Sequence, residues 1–228
     1  MKWIIDLFAS TLGRKVLMSL TGLFLISFLV VHLAGNLQLL KHDGGEAFNH
    51  YAEFMGSNAV IQTIAKFNFG FILLHVIVSI ILTSRNRNAR GPEGYKATPK
   101  QKSSIWASRN MGILGTLILI FIVIHLKDFW GVSKFGTLQM TTYESGETYP
   151  DLYALVIDWF HVGWYVALYT FCMCALAFHL WHGFQSAFQT LGLRHPKYTP
   201  VIQFVGKAFS IIVPALFAII PLAIYFQS

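Results

Sequence analysis

Four histidines, His32, His75, His125 and His179, fall in four different long apolar segments of the chain. An unpaired imidazole is expensive in hydrocarbon, so a histidine kept there is a candidate for a functional role. Neutral imidazole offers one nitrogen lone pair to a metal and one N–H to an acceptor. Four such residues on four helices suggest two cofactors, each held between two rings. The plainer reading for any one of them is a hydrogen bond that bridges two helices.

The elements that must carry these residues follow from composition. Of 228 residues, 55% are hydrophobic and 12% charged, with 15% aromatic, which leaves too little polar surface for a soluble globule of that size. Crossing a bilayer takes roughly 20 apolar residues at about 1.5 Å each. Five stretches qualify, at about 16–40, 60–84, 109–131, 155–185 and 203–226. They are continuous runs rather than short alternating ones, so the expected fold is all-α, a single membrane domain (residues 1–228) of five transmembrane helices. The first span begins too late and runs too long for a signal peptide.

Charge sets the expected orientation. With the N-terminus inside, 13 of the 17 Lys and Arg fall on the inner face, among them Lys2, Arg14, Lys15, Arg85, Arg87, Arg109 and Arg194. The outer side keeps Lys41, Lys66, Lys127 and Lys134 with eight of the ten acids, Asp43, Glu46, Asp128, Asp151 and Asp158 among them. The positive-inside rule gives N-in, C-out. A net charge of +7 is accounted for by this asymmetry beside anionic lipid, with no need for a nucleic-acid partner. The longest inner connection, about Ser84 to Ser108, carries Pro92, Pro99 and basic residues, and reads equally as a docking segment or a solvated loop.

Direction converts position into depth. His32 lies 17 residues beyond Lys15 and His125 lies 16 beyond Arg109, both on outward-running helices, so these two share an outer level. His75 and His179, on inward-running helices, share an inner level, about 10 Å away by helix rise. Zinc would want four ligands at one point, whereas haem iron needs two axial nitrogens and an apolar, aromatic pocket. Phe24, Phe28, Phe67, Phe69, Phe71, Phe121, Phe171 and Phe178 could supply the aromatic wall, and Gly22, Gly35, Gly70, Gly112 and Gly115 the space. Without Cys-x-x-Cys-His the haems would be b-type. His182 competes with His179, since i and i+3 share a face, and depth favours His179 only slightly. Cys172 and Cys174, two apart, cannot chelate together. His42, His50, His161 and His195 read as solvated, and Pro214 and Pro221 as bends in the fifth span.

The chain resembles the diheme cytochrome b membrane anchor of succinate:quinone oxidoreductases, the single-chain five-helix type found in succinate dehydrogenases and fumarate reductases. The resemblance spans nearly the whole chain and rests on Ser19-Leu20-Thr21-Gly22 leading to His32, on Gly45-Glu46-Ala47-Phe48-Asn49, and on Phe178-His179 with Gly183 and Gly192 after it. It implies axial ligands His32 with His125 at an outer haem and His75 with His179 at an inner one, and its His-x-x-x-Gly spacing favours His179 over His182. Where some fumarate reductases of this type carry a membrane glutamate, two residues before the last ligand, this chain has Ala177.

What the resemblance implies is electron relay between an iron–sulfur subunit, itself joined to a flavoprotein on the cytoplasmic side, and the quinone pool, with menaquinone favoured, in a bacterial cytoplasmic membrane. Such a chain would bind neither dicarboxylate. Expected propionate partners are Arg14 and Arg109 at the inner end and Lys127 at the outer. Expected quinone-site residues are Asn36, Glu46 and Asp158, polar groups near the outer haem. Two other classes stay open on sequence: a histidine-bearing membrane transporter or enzyme, which should show carboxylates at mid-membrane, and a structural anchor without haem.

Overall fold

A computed structural model describes residues 6, 10–90 and 106–227. Five helices in it are long and apolar enough to cross a membrane, Thr11–Leu40, Ala59–Ala89, Met111–Phe135, Gly163–Thr190 and Thr199–Gln227. The all-α, multi-pass architecture expected from composition is what the chain adopts.

Helix α1 (Thr11–Asn36) starts where the Ser10 hydroxyl accepts the Gly13 amide at 3.0 Å, and it runs into a 3₁₀ turn, Leu37–Leu40; the side chain satisfies an N–H that has no partner within the helix. Helix α2 (Glu46–Ser57) is short, and α3 (Ala59–Arg90) is longer than sequence suggested, continuing through Ser84 to Arg90. Of the connection expected over 84–108, residues 91–105, with Pro92, Pro99 and three lysines, lie outside the described residues, as does Lys2. After α4 (Trp106–Arg109) comes α5 (Met111–His125), which ends at its histidine in a π-helical stretch, Leu126–Gly131, before α6 (Val132–Phe135). A two-stranded antiparallel hairpin follows, β1 (Met140–Thr142) with β2 (Thr148–Pro150), pairing Thr141 with Tyr149. Hydropathy gave no sign of it, because three-residue strands carry no readable period.

The fourth span departs from the single helix expected at 155–185. It divides into α7 (Leu152–Phe160) and α8 (Gly163–Thr190) at His161 and Val162. Val162 is extended (φ −93°, ψ 106°), and a Cβ on Gly163 would lie 3.1 Å from the Tyr225 hydroxyl. The chain bends where a tyrosine of the last helix, α9 (Thr199–Gln227), takes the place a side chain would need. At the far end of α8, Gly192 (φ 74°) supplies the left-handed residue and the Leu193 amide bonds back to Phe188 at 3.0 Å, a Schellman-type stop. Pro214 and Pro221 sit buried inside α9, which continues through both.

Four helices close a ring. Helix α1 packs on α3 and α8, and α5 packs on α8 and, more lightly, on α3, while α9 lies outside against α8 and α1. Along the diagonals, α1 with α5 and α3 with α8, the helices do not pack closely. In α8, 39% of the apolar window is buried against 11% in α3, so α8 is the hub, and α3 shows most of its surface to what would be lipid.

One end of the ring is capped by α2, the hairpin and α7, and the main core lies beneath them, around Leu33, Phe48, Phe129, Phe160, Tyr165 and Ile220. The Gly45–Asn49 stretch organises this cap. Gly45 is left-handed (φ 94°) with the Tyr153 ring where its Cβ would be, a position only glycine fills without strain. Asn49 is fully buried: its amide N–H₂ donates to the Tyr143 hydroxyl (2.7 Å) and to Asp151 (3.0 Å), and its carbonyl accepts the Tyr153 amide (2.8 Å). Asp151 also caps α7 through the Ala154 amide at 3.0 Å. One buried amide thus ties α2, the hairpin and α7 together.

Candidate functional site

A cavity of about 2000 Å³ runs along the ring's axis and is lined by all four intramembrane histidines. Each histidine projects from one helix toward its diagonal counterpart. The His32 and His125 ring centroids are 5.7 Å apart, and those of His75 and His179 6.4 Å. Depth arithmetic on the sequence anticipated these two pairs; the structure adds that each spans a diagonal along which the backbones do not close.

Both pairs have the spacing that a shared metal would require. With metal–nitrogen bonds of about 2 Å on opposite faces, two imidazole centroids stand about 6 Å apart. The volume is twice the roughly 1,000 Å³ that bounds common small-molecule pockets, and it is continuous past both pairs. Among the described residues no three of His, Cys, Asp or Glu gather at one point, so the donor set is two imidazoles at each level.

Hydrogen bonding decides which ring nitrogen is free. Thr21 has a single hydroxyl proton, directed to backbone carbonyls (2.8 Å to Leu17, 3.1 Å to Met18), so its oxygen faces His75 Nδ1 at 3.0 Å as an acceptor. A proton on His75 Nδ1 would use that acceptor and leave the Nε2 lone pair free to bind a metal. His125 reaches the same state by a longer route. Asp128, an acceptor when ionised, takes the Tyr165 hydroxyl proton at 3.0 Å; the Tyr165 oxygen then accepts from Tyr169 at 3.0 Å, and the Tyr169 oxygen accepts from His125 Nδ1 at 3.2 Å. Fixing one nitrogen as donor leaves the other as ligand, as in metal-bound histidines generally. His179 differs, since its Nδ1 is buried with no hydrogen-bond partner. A buried imidazole nitrogen left in this way is costly unless the site is completed by something else.

The walls fit a large flat apolar group. His32 stacks on Phe28 at 5.2 Å and tilts toward Phe217 at 5.6 Å, while His125 lies between Phe121 and Phe129. At the other pair glycines make the room. A Cβ on Gly22 would lie 3.4 Å from His75 Cε1, and one on Gly115 3.9 Å from His179 Cε1. Gly35 and Gly112 also line the cavity. Of the aromatic residues expected around it, Phe28, Phe69 and Phe121 are present; Phe67, Phe171 and Phe178 are exposed on the outer faces of their helices. The true wall includes Phe217 and Phe160 from α9 and α7, neither of which sequence had assigned to the site.

His179 rather than His182 makes the ring contact with His75, although both line the cavity. Cys172 is buried and Cys174 exposed, both as free thiols, and His42, His50, His161 and His195 are exposed.

The polar residues expected to serve a cofactor or quinone are scattered. Arg14, Arg109 and Lys127 do not line the cavity; Lys15 and Arg87 do so toward one end, and Lys66 and Lys134 toward the other. The single-residue offset of Lys15 from Arg14 is a 100° turn of the helix, which charge counting cannot resolve. Lys127 is 77% exposed and donates to Asp128 at 2.9 Å. Asn36 lines the cavity, and its amide nitrogen donates to the His32 carbonyl at 2.8 Å and lies 3.4 and 3.5 Å from the His32 ring nitrogens. Glu46 accepts the Ser145 hydroxyl in the cap, and Asp158 is exposed on α7; the structure does not bring these three together.

Two residues escaped the sequence reading. Asp128, placed there at the outer surface by its charge, is buried, and Asn68 is buried with its side-chain oxygen unpartnered and lines the cavity. The π-helical stretch explains the first, because its wider turn directly after His125 carries Asp128 and Phe129 inward, and such turns are frequent at functional sites. No periodicity rule reveals that from residue types. No protein-family model, no curated protein and no solved structure matches this chain.

Proposed function

We propose that this chain is a diheme cytochrome b, the membrane anchor of a succinate dehydrogenase or fumarate reductase, which relays electrons between an iron–sulfur subunit and the quinone pool. The observation that carries the reading is the pair of diagonal imidazole contacts, 5.7 and 6.4 Å between centroids, opening on one apolar cavity. His32 and His125 would hold one haem, His75 and His179 the other. Bound haem supplies reversible one-electron exchange with no open iron position, which suits relay rather than oxygen chemistry.

The chain's own residues do the rest. Thr21 and the Tyr169–Tyr165–Asp128 series keep Nε2 of His75 and His125 available as ligand, and Gly22 and Gly115 hold the facing helices clear. Lys66 and Lys134 at one end, and Lys15 and Arg87 at the other, are the cations on the cavity able to take propionates. The basic excess around α1, α3 and α4 supports a cytoplasmic assignment for that side, and with it N-in, C-out, in what would be a bacterial inner membrane. The iron–sulfur and flavoprotein partners would dock there, and a quinone, menaquinone by preference, would exchange electrons with the haems.

A reduced-minus-oxidised spectrum of the purified chain with a haem count tests this directly. Low-spin b-type bands and two haems per polypeptide are expected. A colourless chain, or pigment unaffected by alanine at all four histidines, would reject it.

A further inference from the structure

Beyond its ligands, the His32–His125 site has a polar series for which the relay function itself creates no need. From His125 Nδ1 it runs through the Tyr169 hydroxyl (3.2 Å), the Tyr165 hydroxyl (3.0 Å) and the Asp128 carboxylate (3.0 Å) to Lys127 Nζ (2.9 Å). Tyr165 is fully buried, Tyr169 and Asp128 are 6% and 5% exposed, and Lys127 is 77% exposed. A carboxylate and two phenols among apolar side chains would be destabilising if unpaired. Here every hydroxyl has one donor and one acceptor role, and the direction of every bond is set by the carboxylate at its end.

We infer that Asp128, acting through Tyr165 and Tyr169, is the positioning residue of the His32–His125 centre, fixing the His125 tautomer and lowering that centre's reduction potential relative to the His75–His179 centre. The argument rests on the cytochrome reading above. It has two parts. An Nδ1–H bond that ends on an anion gives the imidazole more basic character, and a more basic axial ligand favours the oxidised metal. The His75–His179 pair has no counterpart that ends on a carboxylate: His75 Nδ1 lies 3.0 Å from the neutral Thr21 hydroxyl, and His179 Nδ1 has no partner. The two centres share ligand type, and only the His32–His125 centre has a ligand whose hydrogen-bonded series ends on a carboxylate, so the series contributes to separating their potentials.

Asp128→Asn and Tyr169→Phe, each in the full-length haem-loaded chain, test it by potentiometric titration followed optically, with haem content and low-spin spectrum as controls. Both variants should keep two haems per chain. At fixed poise Asp128→Asn should raise the reduced-to-oxidised ratio of one haem about tenfold, equal to 59 mV for a one-electron couple, and leave the other unmoved. Tyr169→Phe should shift the same haem in the same direction, and Asp128→Glu should restore most of the difference. Two haems with unmoved potentials in both variants would overturn the inference, as would an equal shift of both haems. A wild-type chain without haem would instead overturn the cytochrome reading, which separates the two failures.

Discussion

The two histidine pairs are built from the same donors and supported in opposite ways. Around His32 and His125 the protein supplies nearly everything, with stacked Phe28, Phe121 and Phe129, a hydrogen-bonded series ending at Asp128, and the main core under the cap. Around His75 and His179 it supplies mostly room. The second core cluster there is small, comprising Ala107, Leu114 and Ala175 with Leu117 against them, two glycines face the rings, and one imidazole nitrogen is unpartnered. One pair is preorganised by packing, while the other would depend on the proposed haem for completion. Equal ligands therefore need not mean equal affinity or equal tolerance to mutation.

Removing ligands breaks the comparison most strongly. The double variant His32→Ala with His75→Ala should abolish pigment altogether, read as absorbance per chain. His125→Ala or His179→Ala alone should each leave one haem of two, and His182→Ala should leave both; loss of pigment in the last would exchange the ligand assignment on α8.

Steric filling sharpens it next. Gly22→Leu or Gly115→Leu places a side chain against His75 or His179, and should remove the haem of that pair while leaving the other spectrally intact. Equal loss at both pairs would mean that the centres are not supported independently.

Asn49→Ala separates the cap from the haems. It strands the Tyr153 amide and breaks the bonds to Tyr143 and Asp151, at about 2–3 kcal/mol for unmade buried hydrogen bonds. Proteolysis should open the hairpin and α7 first, and the His32–His125 centre should weaken before its counterpart.

The smallest effect is expected from Thr21→Val, which deletes a single acceptor for His75 at about 1 kcal/mol. Haem should be lost from that pair on dilution about fivefold more readily, with no change at His32–His125.

Much of this was legible in the residues. Length and hydropathy define five spans, and distance from the basic ends pairs His32 with His125 and His75 with His179, because helix rise is constant and direction alternates. What was not legible depends on rotation and on backbone irregularity. Arg14 and Lys15 differ only by one residue's turn, and the cavity takes the latter. Phe67, Phe171 and Phe178 sit on histidine-bearing helices yet face outward. Asp128 looks like a surface acid until a π-helical stretch carries it inside, and the break at Val162 depends on Tyr225, more than sixty residues later. Charge and composition are blind to each of these.

The uncrossed diagonals have a consequence for how such a chain comes into being. Staves that touch only their neighbours around a hollow shaft gain little cohesion from the middle, so on the proposed reading a stocked shaft would make the more lasting vessel. A newly made chain without its contents is expected to be the short-lived form, cleared before a filled one. Supply of pigment would then set how much of the protein a cell retains.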